Sequence, residues 1–435
     1  MARRATVCYG TAFAPWEMFS QAAVRYEENR RSHCLDLNQQ LFRSALDTIT
    51  LFSQIVLDIE QTKVRWKAEK SINLLQLLRK FRSKQATDHR DKVYALLGLI
   101  TDWGSAEPIV PDYTLSVETV YKKTVLKLIE VTQSTSVLCG NLRKRPRHAL
   151  PSWVPDWSAP FIPYESDRLN RFVLYNAASS EPSALRLHGT DLMETKAAMV
   201  DSIAVTGDFL AQIGIHDAIK VLGQWADLAG IKKTPDEPYV GGGTRLNAFW
   251  RTLCADTLYL ESPVPGTDDV SLDQSYRRST DEDSDSYTNW QLWLKCFARD
   301  TGFYGLIRKF ELPKRKMEEG ISAVHYAIVS ATALRRFFIT QKGYMGLGPE
   351  GLLPGDSIHV IAGERVPFVL RKRTEHSACR FEKCQPLVGR GFKRVGFWER
   401  CGQSHKSHLL VGDCFVMGIM DGEFAGGKYG DVSLR

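Results

Sequence analysis

Side chains of the metal-binding type gather near the carboxyl end of the chain. They are Cys379, Cys384, Cys401, His405 and His408, all within 30 residues. Zinc takes four such ligands in a tetrahedron, and the C-x4-C and H-x2-H spacings are close to the usual range. However, one cysteine is left over, and no finger-like apolar pattern lies between the pairs. We interpret the group as a loop with exposed Cys and His, with a zinc site as the alternative, and assign no metal ligand.

A glycine-rich stretch, residues 346–351, matches G-x-G-x-x-G. In a dinucleotide-binding fold, such glycines open a helix whose amino end faces the pyrophosphate. Here the stretch is followed by Leu-Leu-Pro-Gly at residues 352–355, which predicts a turn. The glycines are therefore expected to supply turn geometry between strands, and no cofactor is predicted.

A pair of carboxylates, Asp88 and Asp91, has a spacing that an acid–base dyad could use. The pair lies at the predicted amino end of a helix, where Thr87 or Asp88 can cap free N–H groups and Asp91 complements the helix dipole. Arg90, between them, is expected to pair with a carboxylate elsewhere in a structural role. The sequence contains neither G-x-S-x-G nor H-E-x-x-H, motifs of known hydrolases. No catalytic residue is predicted, and we interpret the chain as non-enzymatic.

Charge gives little support for a nucleic-acid partner. The net charge is +7 over 435 residues, which permits only weak attraction to polyanions. The basic run at residues 143–148 is typical of a solvated loop, with a nuclear-localisation or nucleic-acid patch as the alternative. No basic stripe with interleaved aromatic residues occurs elsewhere. We therefore expect no binding to nucleic acid.

Cysteine usage and hydropathy indicate the compartment. No run of 18 apolar residues occurs, so no membrane span is predicted. The nine cysteines are odd in number and scattered, which suits a reducing compartment where free cysteine acts as a small buried hydrophobe. Together these features predict a cytoplasmic protein.

The hydrophobic pattern predicts an α+β fold with a helical amino-terminal half and a β-rich, small barrel-like carboxyl-terminal subdomain. We divide the chain into a helical region at 1–158, a mixed strand and helix region at 159–332, and the β-rich subdomain at 333–435. The acidic stretch near 264–288 in the middle region is predicted to be a mobile loop.

Two segments of the helical region carry the sharpest local predictions. Residues 88–100 are expected to form one helix with an apolar face, and Ser116 is expected to cap a helix through about Thr132. The segment around Trp153 and Trp157 is too rich in proline for regular helix. Its tryptophans are expected to anchor it on a core.

Several ordered elements resemble those of fungal heterokaryon-incompatibility (HET) proteins. Residues 88–98 resemble the family's D-x-R-D-K-V-Y-A-L-L-G run. Residues 111–121 resemble its P-D-Y and V-Y element, and residues 150–158 resemble its L-P-S-W-V-P-D-W-S element. Residues 343–356 and 410–423 resemble its carboxyl-terminal block. The positions that carry the resemblance, which we interpret as capping, core and turn residues, are Asp88, Arg90, Asp91, Tyr94, Trp153, Asp156, Trp157, Gly355, Asp356, Gly418, Asp421 and Glu423.

The resemblance does not include the family's amino-terminal part. Family members usually begin with a HET domain similar to Toll/interleukin-receptor domains, which ends near a W-x-x-Q-E element absent from this sequence. The chain is therefore expected to begin where that domain ends, as a truncated member without the toxic or catalytic portion.

What the resemblance implies is a regulatory or recognition body in fungal non-self recognition, or allorecognition, and programmed cell death. The expected partner is a protein, another HET-type or allorecognition protein. Two alternatives stay open. One is an inhibitory pseudo-effector that binds an intact HET partner, and the other is an uncharacterised enzyme with a pocket between the helical and β-rich regions.

Overall fold

The computed structural model joins a helical amino-terminal part to a β-barrel, which confirms the predicted α+β class. The residues that it describes are 5–32, 43–68, 72–104, 106–140, 149–159, 164–179, 181–188, 191–211, 215–260, 276–298, 314–373, 407–424 and 427–435.

Helices dominate the first part of the chain and recur between the strands. They are α1 Trp16–Ser32, α2 Arg43–Lys67, α3 Leu74–Lys80, α4 Asp91–Tyr94, α5 Val117–Thr132, α6 Glu165–Asn170, α7 Ile215–Leu228, α8 Arg245–Leu253, α9 Ser284–Ala298 and α10 Lys314–Thr332. The side chains of Asn73, Ser116 and Thr244 accept backbone N–H groups at the starts of α3, α5 and α8. Such caps satisfy donors that a helix leaves free at its first turn, so the predicted cap at Ser116 is confirmed.

The strands are β1 Thr6–Tyr9, β2 Ala12–Pro15, β3 Leu185–His188, β4 Leu192–Phe209, β5 Thr257–Tyr259, β6 Tyr276–Arg278, β7 Arg335–Thr340, β8 Met345–Pro349, β9 Ser357–Ile361, β10 Phe368–Arg373, β11 Ser407–Asp413, β12 Phe415–Val416 and β13 Gly430–Leu434. Five of them close a barrel in the order β4-β13-β11-β10-β9, because β9 pairs back to β4. Closure leaves these strands no free edge.

Strand β4 is the organising strand of the sheet. It is 18 residues long, and its pairing with β9 shifts register between Met199 and Asp201. Before the shift β4 pairs with β3 and β13; beyond it β4 pairs with β7, which continues the sheet through β8 to β12. A strand with such an irregularity bends, so one strand serves both the barrel and its extension. The proposed division at residues 158 and 332 stays a prediction, although β4 pairs with strands beyond residue 332.

The hydrophobic core is continuous between helices and barrel. One cluster of buried side chains includes Tyr121 of α5, Trp153, Trp225 of α7 and Phe337 of β7. Phe338, the next residue of β7, packs in a second cluster on the opposite face of the sheet, as the alternation of a strand requires. The helical part and the barrel therefore share one core.

The predicted continuous helix over residues 88–100 is wrong. Helix α4 ends at Tyr94, and residues 97–99 form a separate 3-10 turn. Asp88 does not cap α4; its Oδ1 instead accepts the N–H of Arg90 at 2.9 Å. A short aspartate side chain that binds the backbone two residues on favours a turn over a helix, and Gly98 has a low helix propensity.

The described part of the predicted acidic loop, residues 276–288, is also ordered, which corrects that prediction. It contains β6, a 3-10 turn at Asp281–Asp283 and the start of α9. Asp283 accepts two bonds from Arg277 at 2.7 and 2.8 Å and one from the Thr280 N–H at 2.7 Å. The acidic charge is thus neutralised locally, a feature that composition does not reveal. Residues 261–275 lie outside the described residues.

None of the helices that the structure describes has the length and apolar character needed to cross a lipid bilayer.

Candidate functional site

Five arginines, four of them buried and Arg79 half-buried, gather where the helical part meets the barrel. They come from distant segments: Arg79 and Arg82 at the end of α3, Arg168 in α6, Arg171 just after it, and Arg335 in β7. Arg82, Arg168, Arg171 and Arg335 are each at most 8 % exposed. Arginine is seldom buried without a charged partner, so each of these side chains is expected to have polar or charged neighbours. We call these five residues the arginine cluster.

Arg335 forms the central ion pair of the cluster with Asp413, the last residue of β11. The Nη1 of Arg335 also donates to the Asp413 carbonyl at 2.8 Å, and the Gly140 N–H donates to the Asp413 carboxylate at 2.9 Å. Burial alone would raise the pKa of Asp413, but the guanidinium groups of Arg335 and Arg168 lower it below its usual value. Asp413 is therefore ionised in the folded protein.

Arg168 forms no such ion pair. It is 8 % exposed, its Nε is enclosed without an acceptor, and its guanidinium donates no hydrogen bond among the described residues. Burial, and then the positive charge of Arg335, lower its pKa to about 10, although the carboxylates of Asp413 and Glu165 act in the opposite direction. At neutral pH Arg168 is still a cation, so a buried positive charge lies beside a second one.

Arg171 is fully buried and partly satisfied. Its Nη2 donates to the Ala327 carbonyl at 3.1 Å and to the Ser330 hydroxyl, while Nε and Nη1 lack acceptors. Its guanidinium lies 4.2 Å from the ring centroid of Tyr276. A cation over an aromatic face is favoured when both are desolvated, and this contact replaces part of the lost hydration.

The helical side of the cluster carries its own polar contacts. Arg79 donates to the Ser136 carbonyl at 2.6 Å, and Arg82 donates to the Asp156 carbonyl at 2.7 Å. Both side chains thereby tie α3 and the turn that follows it to loops of the helical part.

Glu364, in the loop after β9, connects the barrel to the helical part. Its carboxylate accepts the Thr135 hydroxyl and lies 3.8 Å from the Cys139 thiol. Burial raises the pKa of Glu364 to about 6, because the charged form is disfavoured away from water. This carboxylate therefore changes charge near neutral pH.

Two crevices flank helix α6. One is lined by residues that include Arg79, Arg82, Glu165 and Trp157. The other is lined by residues that include Arg168, Arg171, Arg335 and Asp413, with apolar walls from Phe172, Leu347, Phe415 and Met420. Each crevice is small, with room for roughly one water molecule. We call the second one the arginine crevice. Three guanidinium groups and one carboxylate line it, so its charge is positive.

A second ionic network borders this region. The Nη2 of Arg278 donates to Asp256 at 2.6 Å and to Asp421 at 2.7 Å. Arg278 also lies over the ring of Tyr175, a residue that lines the arginine crevice. Asp421 in turn donates its N–H to Glu423 at 2.7 Å. Two of the residues singled out in the sequence, Asp421 and Glu423, thus lie at the edge of this network.

Four other such residues meet around Tyr113. Arg90 forms an ion pair with Asp88 at 2.7 Å and donates to the Tyr113 carbonyl. The Tyr113 hydroxyl donates to Asp91 at 2.6 Å, and its ring packs edge-on against Tyr94. Hydrogen bonding to Arg90 lowers the pKa of Asp88 to about 2. The two motifs of the sequence therefore contact each other, and the partner of Arg90 is near in the chain rather than distant.

The tryptophan segment lies in the core. Trp153 is fully buried and its ring N–H donates to the Asp191 carbonyl at 3.1 Å. Trp157 packs edge-on against Tyr121 with ring centroids 4.9 Å apart. Asp156 is buried, and its carboxylate accepts the N–H of Ser158 at 2.9 Å. The carbonyl of Asp156 accepts from Arg82 of the arginine cluster, and Trp157 lines the same crevice as Arg82.

The turn residues of the carboxyl-terminal block shape the barrel. Gly355 has a φ of +89°, which favours glycine, and the buried carboxylate of Asp356 accepts Arg371 at 2.7 and 2.8 Å. Gly418 also has a positive φ, and a Cβ there would lie 2.8 Å from the Cα of Gly241. These positions serve local geometry and lie outside the arginine crevice.

The structure describes the whole glycine-rich stretch but only one of the five metal-type residues. Gly346 and Gly348 lie in strand β8 rather than at the start of a helix. Of the metal-type residues, His408 lies in β11, while residues 374–406 are outside the described residues. Within the described part of the chain, no group of three or more His, Cys, Asp or Glu side chains could hold a metal.

Sequence reasoning missed most of the arginine cluster. Arg168, Arg171 and Arg335 belong to no motif, and Asp413 lies 78 residues from Arg335. One local signal was present: Arg335 lies two residues before Phe337, so on a strand the two side chains share one face. A cation inside a buried strand requires a partner, but the sequence does not name that partner.

Comparison with known proteins places the chain among fungal sequences. A model of the Het-6 beta-barrel domain matches residues 198–381. The chain is 26% identical over 380 residues to heterokaryon incompatibility protein 6, OR allele, of Neurospora crassa, with 78% of this chain and 49% of that protein covered. The chain thus spans about half the length of the curated relative that it matches. No solved structure matches it.

Proposed function

Because the chain belongs to the heterokaryon-incompatibility family, we propose that it acts in fungal non-self recognition as a recognition body that binds another protein in the cytoplasm. The observation that carries this proposal is the agreement between the family match and the fold. The matched segment, residues 198–381, holds most of β4 and all of β9 and β10, three strands of the closed barrel. The family match therefore falls on the barrel.

The chemistry of the buried groups supports binding rather than catalysis. Burial raises the pKa of Cys139, Cys254 and Cys414, so these thiols stay protonated at neutral pH and are weak nucleophiles. Burial lowers the pKa of His325 and His359 to about 4. A general base is most effective with a pKa near the working pH, and these imidazoles are far from it.

An enzyme with its site between helices and barrel is the second candidate function. The arginine crevice lies at that junction and contains a guanidinium whose pKa is shifted. Its one lining carboxylate, Asp413, is held in an ion pair with Arg335, which makes it a poor group for proton transfer.

The partner surface that we propose is the amino-terminal hairpin with helices α1 and α2. Large apolar side chains are exposed there: Phe13 is 76% and Met18 54% exposed, and Phe52 and Val64 are also exposed. The core beneath them is small, with Ala23, Val56 and Leu57 as its buried members. Exposed apolar surface of this kind marks protein interaction sites. We propose that its occupant is an apolar face of a second heterokaryon-incompatibility protein.

Forced heterokaryons test the proposal. Two strains with different alleles of this gene are fused, and growth is compared for wild type, gene deletion, the double variant Phe13→Asp/Met18→Asp, and Val110→Asp. Val110 is 79% exposed and lies away from the hairpin in the chain, so it is the matched control.

We expect the wild type and Val110→Asp to inhibit heterokaryon growth, and both the deletion and the double variant to restore it. If deletion leaves growth unchanged, the proposed function is wrong. If the deletion restores growth but the double variant behaves like Val110→Asp, the partner surface lies elsewhere.

A further inference from the structure

Two histidines from different strands of the barrel lie close together. His359 belongs to β9 and His408 to β11, and their ring centroids are 6.0 Å apart. Strand β10 pairs with both strands, and its Lys372 is the register partner of His408, so these two side chains lie on the same face of the sheet. The charge of Lys372 acts on both rings. We call these three residues the histidine cluster.

Hydrogen bonds define the protonation state of His359. The Ser357 hydroxyl donates to the Leu370 carbonyl at 3.0 Å, so its oxygen is left to accept a bond from the ring. The ring atom 3.0 Å from this oxygen is Nε2, which must therefore carry the proton. The other ring nitrogen, Nδ1, is buried and has no hydrogen-bond partner among the described residues. A second proton, placed on Nδ1, would have no acceptor.

His408 is in a similar position. Its Nδ1 is also buried without a partner in the described part of the chain, while its ring bonds to the backbone of Ser433 in β13. His359 is only 6 % exposed, and the two charged forms that act on it, those of His408 and Lys372, are both positive. A proton on either ring is therefore added beside existing or potential positive charge.

Acidic side chains of the surrounding strands do not compensate this charge. Those on β4, β11 and β13 and directly before β9 are Glu194, Asp201, Asp208, Asp356, Asp413 and Asp431. None of them is among the charges that act on His359 or His408. Asp356 is paired with Arg371, and Asp201 accepts a backbone N–H at 2.7 Å. Strands β9 and β10 contain no acidic residue.

The geometry points to an acid-sensitive device in the barrel, and we propose that protonation of His359 and His408 weakens the pairing of β9, β10 and β11. Each added proton increases the positive charge beside Lys372, and on His359 it also creates a buried N–H without an acceptor. Both effects favour a state in which water reaches the rings. This inference rests on the barrel and not on the proposed recognition function, and either can fail without the other.

The pH range follows from the two states of His359. Burial, and then the charges of His408 and Lys372, lower its pKa from 6.5 to about 4 in the folded chain. The unfolded state therefore binds the proton more tightly, and the barrel loses stability as pH falls from about 6.5 toward 4. Burial and then Lys372 lower the pKa of His408 as well. Protonation of Glu364 acts in the opposite direction, so variants must be compared at each pH.

Hydrogen–deuterium exchange of the purified chain at pH 7.0 and pH 5.0, corrected for the intrinsic exchange rates, tests the device. We expect the protection factors of peptides from β9, β10 and β11 to fall by roughly tenfold or more at pH 5.0, because the opened strands take up protons that the closed strands exclude. Peptides from helix α5, outside the barrel, should change by less than about threefold.

Two variants identify the groups. His359→Gln places an amide N–H within reach of Ser357 but takes up no proton, so it should lose most of the pH response of β9, β10 and β11. His408→Gln removes the second titrating ring and should reduce the response by about half or more on a logarithmic scale. His89→Gln replaces a half-buried histidine outside the barrel and should respond as the wild type does.

An equal change of protection in the barrel strands and in α5 of the wild type would overturn the proposal. So would an undiminished pH response in His359→Gln. If that variant does not fold, His408→Gln decides in its place, because a response equal to that of His89→Gln would exclude the histidine cluster as its source.

Discussion

Ion pairs between single side chains compensate the charge that is buried where the helical part meets the barrel. Asp413 neutralises Arg335 and also stabilises the charged form of Arg168. In return, both guanidinium groups lower the pKa of Asp413. Nothing in the local sequence around Asp413 indicates this, because its partners lie 78 and 245 residues away in the chain. The motif residues Asp88, Arg90 and Asp91 differ, since their contacts are short in sequence and could largely be anticipated.

The first prediction concerns the Asp413 carboxylate. Asp413→Asn should lower the free energy of unfolding by about 3–5 kcal/mol, because it leaves Arg335 and Arg168 buried without a counter-charge. Urea denaturation measures the loss. Asp191→Asn is the control, since Asp191 is exposed and its ion pair with Lys122 should contribute no more than about 1 kcal/mol. Equal losses in the two variants would refute the central place of Asp413.

The second prediction concerns pH. The pKa of Glu364 is raised from 4.5 to about 6 in the folded chain, so the folded state binds this proton more tightly than the unfolded state does. Its stabilising contribution is complete below pH 4.5 and is lost as pH rises through about 6. Glu364→Gln should therefore gain about 2 kcal/mol over the wild type at pH 7.5, and little at pH 4.

Unfolding curves at the two pH values measure this difference. Because both proteins share all other titrating groups, including His325 and His359, the comparison isolates Glu364. A difference between the proteins that does not change with pH would contradict the assignment.

Elements were easier to predict than the contacts between them. The cap at Ser116 and the strands near residues 337, 358 and 368 followed from local chemistry and alternation. The helix at 88–100 failed because the Asp88 turn and Gly98 disfavour it locally, and because contacts to the carbonyls of Asp112, Tyr113 and Leu115 hold the segment in turns. The helix propensities of single residues contain no information on such long-range contacts.

The third prediction tests the tryptophan anchor. Trp153→Ala should destabilise the chain by about 3–5 kcal/mol, because a fully buried indole leaves a cavity and the Asp191 carbonyl loses its donor. Trp66→Ala is the comparison. Because Trp66 is 39% exposed, this variant should lose much less free energy of unfolding. A denaturation midpoint unchanged by Trp153→Ala would remove the anchor.

The fourth prediction concerns strand β8. A Cβ on Gly346 would overlap the Phe338 ring and the Phe415 carbonyl, so Gly346→Ala should cost about 1–3 kcal/mol of stability. Gly98→Ala meets nothing within 4 Å and has no positive φ, so it should be nearly neutral. Differential scanning calorimetry compares the two. Matching melting temperatures would mean that this glycine is not required for close packing in the sheet.

At the scale of the whole molecule, one long strand pairs with strands that lie far from it in the sequence. Strand β4 lies in the middle of the chain, yet it closes the barrel with β9 and β13 and continues the sheet to β7. The β-rich character of the last hundred residues was visible in their alternation. The contribution of β4 was not, because strand partners far apart in sequence leave no local pattern. The same reasoning applies to the arginine cluster, whose members span residues 79 to 335.

Growth of heterokaryons between strains that are isogenic except for this gene tests the central claim most directly. One strain carries the allele that encodes this chain and the other carries a divergent allele at the same locus. The proposed recognition function predicts slow growth or death of the fused cells, and normal growth when both strains carry the same allele. Equal growth of the mixed and matched heterokaryons would contradict it.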